Sequence, residues 1–125
     1  MEPIRILLVE DNDVYRASLE LLLALEPGVQ VVGEVSDGAS AARMCAETGA
    51  DVVVMDFRLP GLDGAAATAA VLDACPGVAV VSLTAEATEI EDEAVRAAGA
   101  AALIRKGGSL EELVAAIRGA VEGRE

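Results

Sequence analysis

Five short apolar runs, separated by stretches of helical spacing, constrain this chain more than any other feature. They read as strands over Ile4 to Val9, Gln30 to Val35, Val52 to Met55, Val78 to Leu83 and Ala101 to Ile104. Val52-Val53-Val54-Met55 is continuous rather than alternating, the pattern of a strand covered on both faces of a parallel sheet. The first helical segment places Val14, Ala17, Leu21, Leu22 and Leu25 on one face before Pro27-Gly28 stops it. Ser109 with Glu112, and Thr88 with Glu91, fit capping boxes that open two more helices. The former leads into Leu110, Leu113, Val114, Ile117 and Val121; the latter leads into Ile90, Ala94, Val95 and Ala98 and ends near Gly99. Alanine-rich helices over Ala39 to Glu47 and Gly64 to Ala74 complete the series. Strand and helix therefore alternate with short connections, which predicts an α/β fold: a doubly wound, five-stranded parallel sheet with five helices on its two faces.

The 125 residues suffice for one packed core and leave no room for a second domain, so residues 1–125 are expected to be a single unit. Nine Lys+Arg against 22 Asp+Glu give a net charge of −13, which opposes attachment to nucleic-acid phosphates or anionic membranes. No apolar run approaches the roughly 20 residues that cross a bilayer, and the amino-terminal stretch lacks a signal-peptide pattern; a cytoplasmic location is expected. Cys45 and Cys75 form no CxxC pair and read as free thiols. With no histidine, triad chemistry and the usual zinc sites are excluded, and carboxylates, hydroxyls and lysines must carry any chemistry.

In such sheets, ligands bind beyond the carboxyl ends of the strands where the strand order reverses. Polar residues stand there in this chain: Glu10-Asp11 after the first strand, Asp56 after the third, Ser82 and Thr84 around the end of the fourth, and Arg105-Lys106 after the fifth. In the order 2-1-3-4-5, familiar from flavodoxin-like sheets, the first and third strands are neighbours, which gathers Glu10, Asp11 and Asp56. Carboxylates held close repel one another, and a hard divalent cation with oxygen ligands relieves the repulsion. A hydroxyl at Thr84 and an ammonium at Lys106 suit phosphoryl oxygens. Each residue alone also fits a turn, cap or solvated position; together their complementary chemistry at strand ends points to a site. Asn12 or Asp13 is expected to cap the first helix. Asp11-Asn12-Asp13 starts like a calcium loop, but Tyr15 and Arg16 stand where a ligand and a glycine are required. Dinucleotide and P-loop glycine patterns are absent.

Across essentially its whole length the chain resembles the response-regulator receiver family. The resemblance is carried by Leu7-Leu8-Val9-Glu10-Asp11-Asn12, by Met55-Asp56-Phe57-Arg58-Leu59-Pro60-Gly61-Leu62-Asp63-Gly64, by Ser82-Leu83-Thr84-Ala85 and by Ile104-Arg105-Lys106. It implies a Mg²⁺-dependent switch in which Asp56 accepts a phosphoryl group from a sensor histidine kinase. Asp11 and Asp56 would bind Mg²⁺ directly, with the Arg58 backbone carbonyl, and Glu10 would act through a coordinated water. Thr84 would be the switch hydroxyl, Lys106 would contact the phosphoryl oxygens, and Arg58 and Glu86 occupy positions that tune phosphoryl lifetime. The family catalyses only its own phosphorylation and dephosphorylation. Its partners include an output domain or downstream protein, and in some members a second copy of the chain.

Two departures stand out. Leu103 occupies the position three before the lysine where receivers often carry an aromatic switch residue, which puts aromatic coupling in doubt. Lys106 is followed by Gly107-Gly108 rather than proline, which resembles the subgroup with helix-turn-helix output domains. Two other readings are weighed. A receiver-like interaction module that works without phosphorylation is kept in view by Leu103. An aspartyl-phosphate phosphatase or phosphotransferase would typically carry a second aspartate, the general acid, two positions after the nucleophile, where this chain has Arg58.

Overall fold

The computed structural model describes residues 2–59, 62–86 and 88–123. Pro60 and Gly61, part of the stretch after the third strand, lie outside the described residues. The elements follow in the order β1 (Ile4–Val9), α1 (Asp13–Ala24), β2 (Val29–Val35), α2 (Ala41–Thr48), β3 (Val52–Asp56), α3 (Gly64–Ala74), β4 (Ala79–Thr84), α4 (Glu89–Ala97), β5 (Ala102–Arg105) and α5 (Leu110–Gly123). All strand pairs are parallel, in the order β2-β1-β3-β4-β5, which is the expected doubly wound sheet. Four of the strands, β2 to β5, shift by one residue at one or both ends, α2 starts two residues and ends one residue later than expected, and Asp56 is the last residue of β3 rather than the first beyond it.

The continuous apolar runs are explained by two cores, one on each face of the sheet. Ile6, Leu8, Val52, Val54, Val81 and Leu83 pack with α1 and α5 residues such as Leu19, Leu23, Leu113 and Ile117. Their strand neighbours Leu7, Val9, Val53, Met55 and Val80 point the other way, toward Cys45, Ala67, Val71 and Val95 of α2, α3 and α4. Successive side chains leave a strand on opposite faces, so a strand with helices above and below must be apolar at every position. Both cysteines are free; Cys45 is buried and Cys75 half-buried. Among the described residues, no helix is long and apolar enough to cross a membrane.

The expected residues Thr88 and Ser109 cap their helices, but the Thr88–Glu91 pair does not close into a box, and two helix faces differ from expectation. Asn12, not Asp13, caps α1, its side chain accepting from the Tyr15 N–H at 2.9 Å. Ser109 accepts from the Glu112 N–H and Thr88 from the Glu91 N–H, each at 3.1 Å. The expected α1 face is overturned: Val14, Ala17, Leu21, Leu22 and Leu25 are exposed, Leu21 to 70% and Leu25 to 82%. The buried stripe is instead Leu19 and Leu23, with Tyr15 half-buried, at four-residue spacing. On α4, Val95 is buried as expected, but Ile90 is exposed and Glu91 takes the inward position.

Candidate functional site

Strand register assembles the site. Val9 pairs with Met55, so the next residues, Glu10 and Asp56, emerge side by side where the strand order reverses. Asp56 pairs with Leu83 and Thr84 with Arg105, which brings the ends of β3, β4 and β5 level. Two backbone hydrogen bonds extend this alignment past the strands, from Phe57 N–H to Leu83 O at 2.7 Å and from Lys106 N–H to Thr84 O at 2.8 Å.

Glu10, Asp11 and Asp56 converge as expected: their carboxylate oxygens lie within 4.8 Å of one another. Glu10 is only 1% exposed and Asp56 is buried, whereas Asp11 is exposed. Burying two carboxylates requires compensating charge, and Lys106 supplies it. Its Nζ lies 2.6 Å from Glu10 Oε1 and 3.1 Å from Asp56 Oδ2. The second oxygen of Glu10 accepts from the Asn12 N–H at 3.1 Å. Burial pushes the Glu10 carboxyl above its usual pKa, and neighbouring Asp56 adds to the rise, against the lowering effect of Lys106 and Asn12. For Lys106, burial alone would lower the pKa, but the hydrogen bonds to Glu10 and Asp56 outweigh it and the net shift is upward. The ammonium also lies 4.8 Å from the centroid of the Tyr15 ring, a cation–π contact that fixes its approach.

Asp56 Oδ1 accepts from the Arg58 N–H at 3.2 Å, so the loop after β3 folds back over the carboxylate. The loop then returns to α3 through Gly64, whose N–H donates to Phe57 O at 2.7 Å. A Cβ at Gly64 would stand 2.5 Å from the Phe57 Cα and 2.6 Å from its carbonyl oxygen, so only glycine allows the two backbones to approach this closely.

Thr84 lies at the expected place, buried at the end of β4, but its hydroxyl is engaged away from Asp56. Oγ1 lies 2.6 Å from Glu91 Oε1 and 3.0 Å from Glu86 O, and accepts from the Glu86 N–H at 3.3 Å. Glu91 Oε2 receives the Arg58 guanidinium at 2.8 Å. Arg58 therefore uses its backbone N–H on Asp56 and its side chain on α4, while the Glu86 side chain is exposed. Leu103, in the place where an aromatic was considered, is half-buried against the core on the α2, α3 and α4 face.

Sequence reasoning missed two residues of this site. Tyr15 entered only as a residue that spoils a calcium loop, although its place four before Leu19 marks it as the inward stripe of α1. The Thr88–Glu91 spacing predicts a capping box; the Thr88 N–H instead donates to Glu86 O at 3.1 Å, and the Glu91 side chain turns down to the sheet. No local signal separates these two uses of a glutamate three residues after a cap.

The fold and this strand-end cluster define a doubly wound α/β module with an acidic pocket, a lysine bridging two buried carboxylates and a buried threonine hydroxyl beside them. The response regulator receiver domain family matches residues 6–118, and the chain belongs to it. The response regulator UvrY of Escherichia coli (strain K12) is 36% identical over 97% of this chain and 56% of UvrY. This chain thus spans about half the length of the curated relatives it matches. A two-component response regulator of the LuxR family from Aurantimonas sp. SI85-9A1 superposes with a TM-score of 0.92 at 32% identity, covering 99% of this chain and 89% of that one. The response regulator domain of Thermotoga maritima CheB does so with a TM-score of 0.86 at 31% identity, covering 97% and 98% of the two chains.

Proposed function

We propose that residues 1–125 act as a phosphorylation switch in which Asp56 accepts a phosphoryl group from the phosphohistidine of a sensor kinase. The observation that carries this reading is the strand-end cluster itself: a buried aspartate flanked by two acidic residues and held by one lysine. In the transfer, an Asp56 carboxylate oxygen forms a bond to phosphorus as the bond from phosphorus to the imidazole nitrogen breaks. The imidazole leaves with the electron pair and is protonated. Lys106, already paired with Asp56, is placed to follow the oxygens of the new group.

The donor set fits Mg²⁺, a hard ion that takes oxygen ligands and keeps several waters. Asp11 and Asp56 would hold it directly with the Arg58 carbonyl, and Glu10 through a water. When bound, the ion neutralises charge that builds on the phosphoryl oxygens and on the crowded carboxylates. The exposed Asp11 leaves that side of the pocket open to solvent and to a donor.

The added phosphoryl charge would then redistribute two arrangements of the β4 and α4 surface, which a downstream protein or an attached output segment reads, in some assemblies through a second copy of the chain. Direct contact with nucleic acid by this unit runs against its −13 charge. The test is incubation with a small-molecule acyl phosphate and Mg²⁺, followed by intact mass measurement. A base-labile phosphoryl adduct that disappears when the ion is chelated supports the reading, and full labelling of Asp56→Asn would sink it.

A further inference from the structure

We infer that Glu91 is a positioning residue: it holds the Thr84 hydroxyl in reserve, and transfer of that hydroxyl to a phosphoryl group on Asp56 frees the first turn of α4. The inference rests on the acceptor reading of Asp56 and adds to it the element that responds.

Glu91 is out of place for a glutamate near the start of a helix. The other acidic residues of α4's opening turns, Glu89, Asp92 and Glu93, are exposed or half-buried, while Glu91 is 7% exposed. An ionised carboxylate in such a position needs a donor for each oxygen, and Glu91 has one for each. Thr84, from the end of β4, meets Oε1 at 2.6 Å; Arg58, from the loop after β3, meets Oε2 at 2.8 Å. A threonine hydroxyl has a single hydrogen. At 2.6 Å from a carboxylate the bond has the length of a charge-assisted one, and the Glu86 carbonyl at 3.0 Å is the weaker competitor.

That single hydrogen makes the arrangement exclusive. If Thr84 donates to a phosphoryl oxygen, Glu91 keeps, among the described residues, only Arg58 as a side-chain donor, and that side chain is 67% exposed. A buried carboxylate that loses its inner donor is driven toward water, and the turn that carries it moves with it. Thr88 caps this same turn through the Glu91 N–H at 3.1 Å, so cap and latch share one residue. The coupling reaches α4 without an aromatic side chain, which accords with Leu103 at the place considered for one.

The experiment uses beryllofluoride with Mg²⁺ as a phosphoryl stand-in on Asp56, in wild type, Glu91→Gln, Thr84→Val and the double variant. Glu91→Gln weakens the latch and is expected to bind beryllofluoride about tenfold more tightly than wild type. In the Thr84→Val background the same change is expected to have no effect, because there is no hydroxyl to release. Amide exchange over residues 89–97 is expected to quicken when wild type binds beryllofluoride and to be already quick in Glu91→Gln. A merely structural glutamate would change thermal stability alike in both Thr84 backgrounds and leave beryllofluoride affinity unmoved, which would overturn the latch alone. If wild type neither binds beryllofluoride nor accepts phosphate, the acceptor reading falls and takes the latch with it.

Discussion

Two sets of contacts meet near Asp56: Glu10 and Asp11 from the end of β1 with the Lys106 ammonium, which reaches across from the end of β5, and Thr84 from the end of β4 with Glu91 of α4 and Arg58 of the loop after β3. In the first group the two buried carboxylates sit at the ends of paired strands, and a single ammonium bridges them at 2.6 and 3.1 Å. In the second, the contacts join a strand end to a helix and a loop, and one member, Arg58, is 67% exposed. The contrast separates two requirements of a switch. The acidic pocket is set by sheet register, which cannot shift without disturbing both cores, whereas the Thr84, Glu91 and Arg58 side, which we propose responds, is tied by a few side-chain contacts.

Substitutions on the two sides are therefore expected to differ in cost. The largest effect is expected from Gly64→Ala, which would drive a methyl group into the Phe57 backbone at 2.5 Å and push the acceptor loop off Asp56. A loss of about 3 kcal/mol in denaturant unfolding is expected; a loss under about 0.5 kcal/mol, in the range of ordinary surface changes, would mean the loop is not pinned at this contact. Next comes Lys106→Met, which leaves Glu10 buried beside Asp56 with no cation between them. A destabilisation of about 1–2 kcal/mol is expected without added divalent ion, below the range for fully buried pairs because Lys106 is partly exposed. A stability gain would place the repulsion elsewhere. The smallest effect belongs to Arg58→Ala on the responding side, about 0.2–1 kcal/mol by the same measurement. If Arg58→Ala cost as much as Lys106→Met, the proposed division between a fixed and a yielding side would fail.

How much of this was legible in the sequence follows the same division. Glu10, Asp11, Asp56 and Lys106 could be brought together because the apolar runs mark the strand ends and the flavodoxin-like order makes β1 and β3 neighbours; the register that sets them level comes from the structure. Thr84 could be placed for that reason too, but not its partner, since Glu91 arrives from a helix whose rotation depends on packing. The error on α1 has a related cause. Outside the face of Asp13, Arg16 and Glu20 that helix carries two apolar stripes, Tyr15, Leu19 and Leu23 on one and Val14, Leu21 and Leu25 on the other. Only contact with β1 and α5 residues of the first core, such as Ile6, Leu8 and Ile117, selects between them.

The acceptor role proposed for Asp56 is tested most directly by trapping the product. An acyl phosphate on an aspartate is reduced by borohydride to homoserine, whereas a free carboxylate is not. After incubation with an acyl-phosphate donor and Mg²⁺, reduction and peptide mass analysis are expected to find homoserine at position 56 and unmodified aspartate at positions 11 and 63. Homoserine at another aspartate with position 56 intact, or none under conditions where the protein is folded and the ion is present, would contradict it.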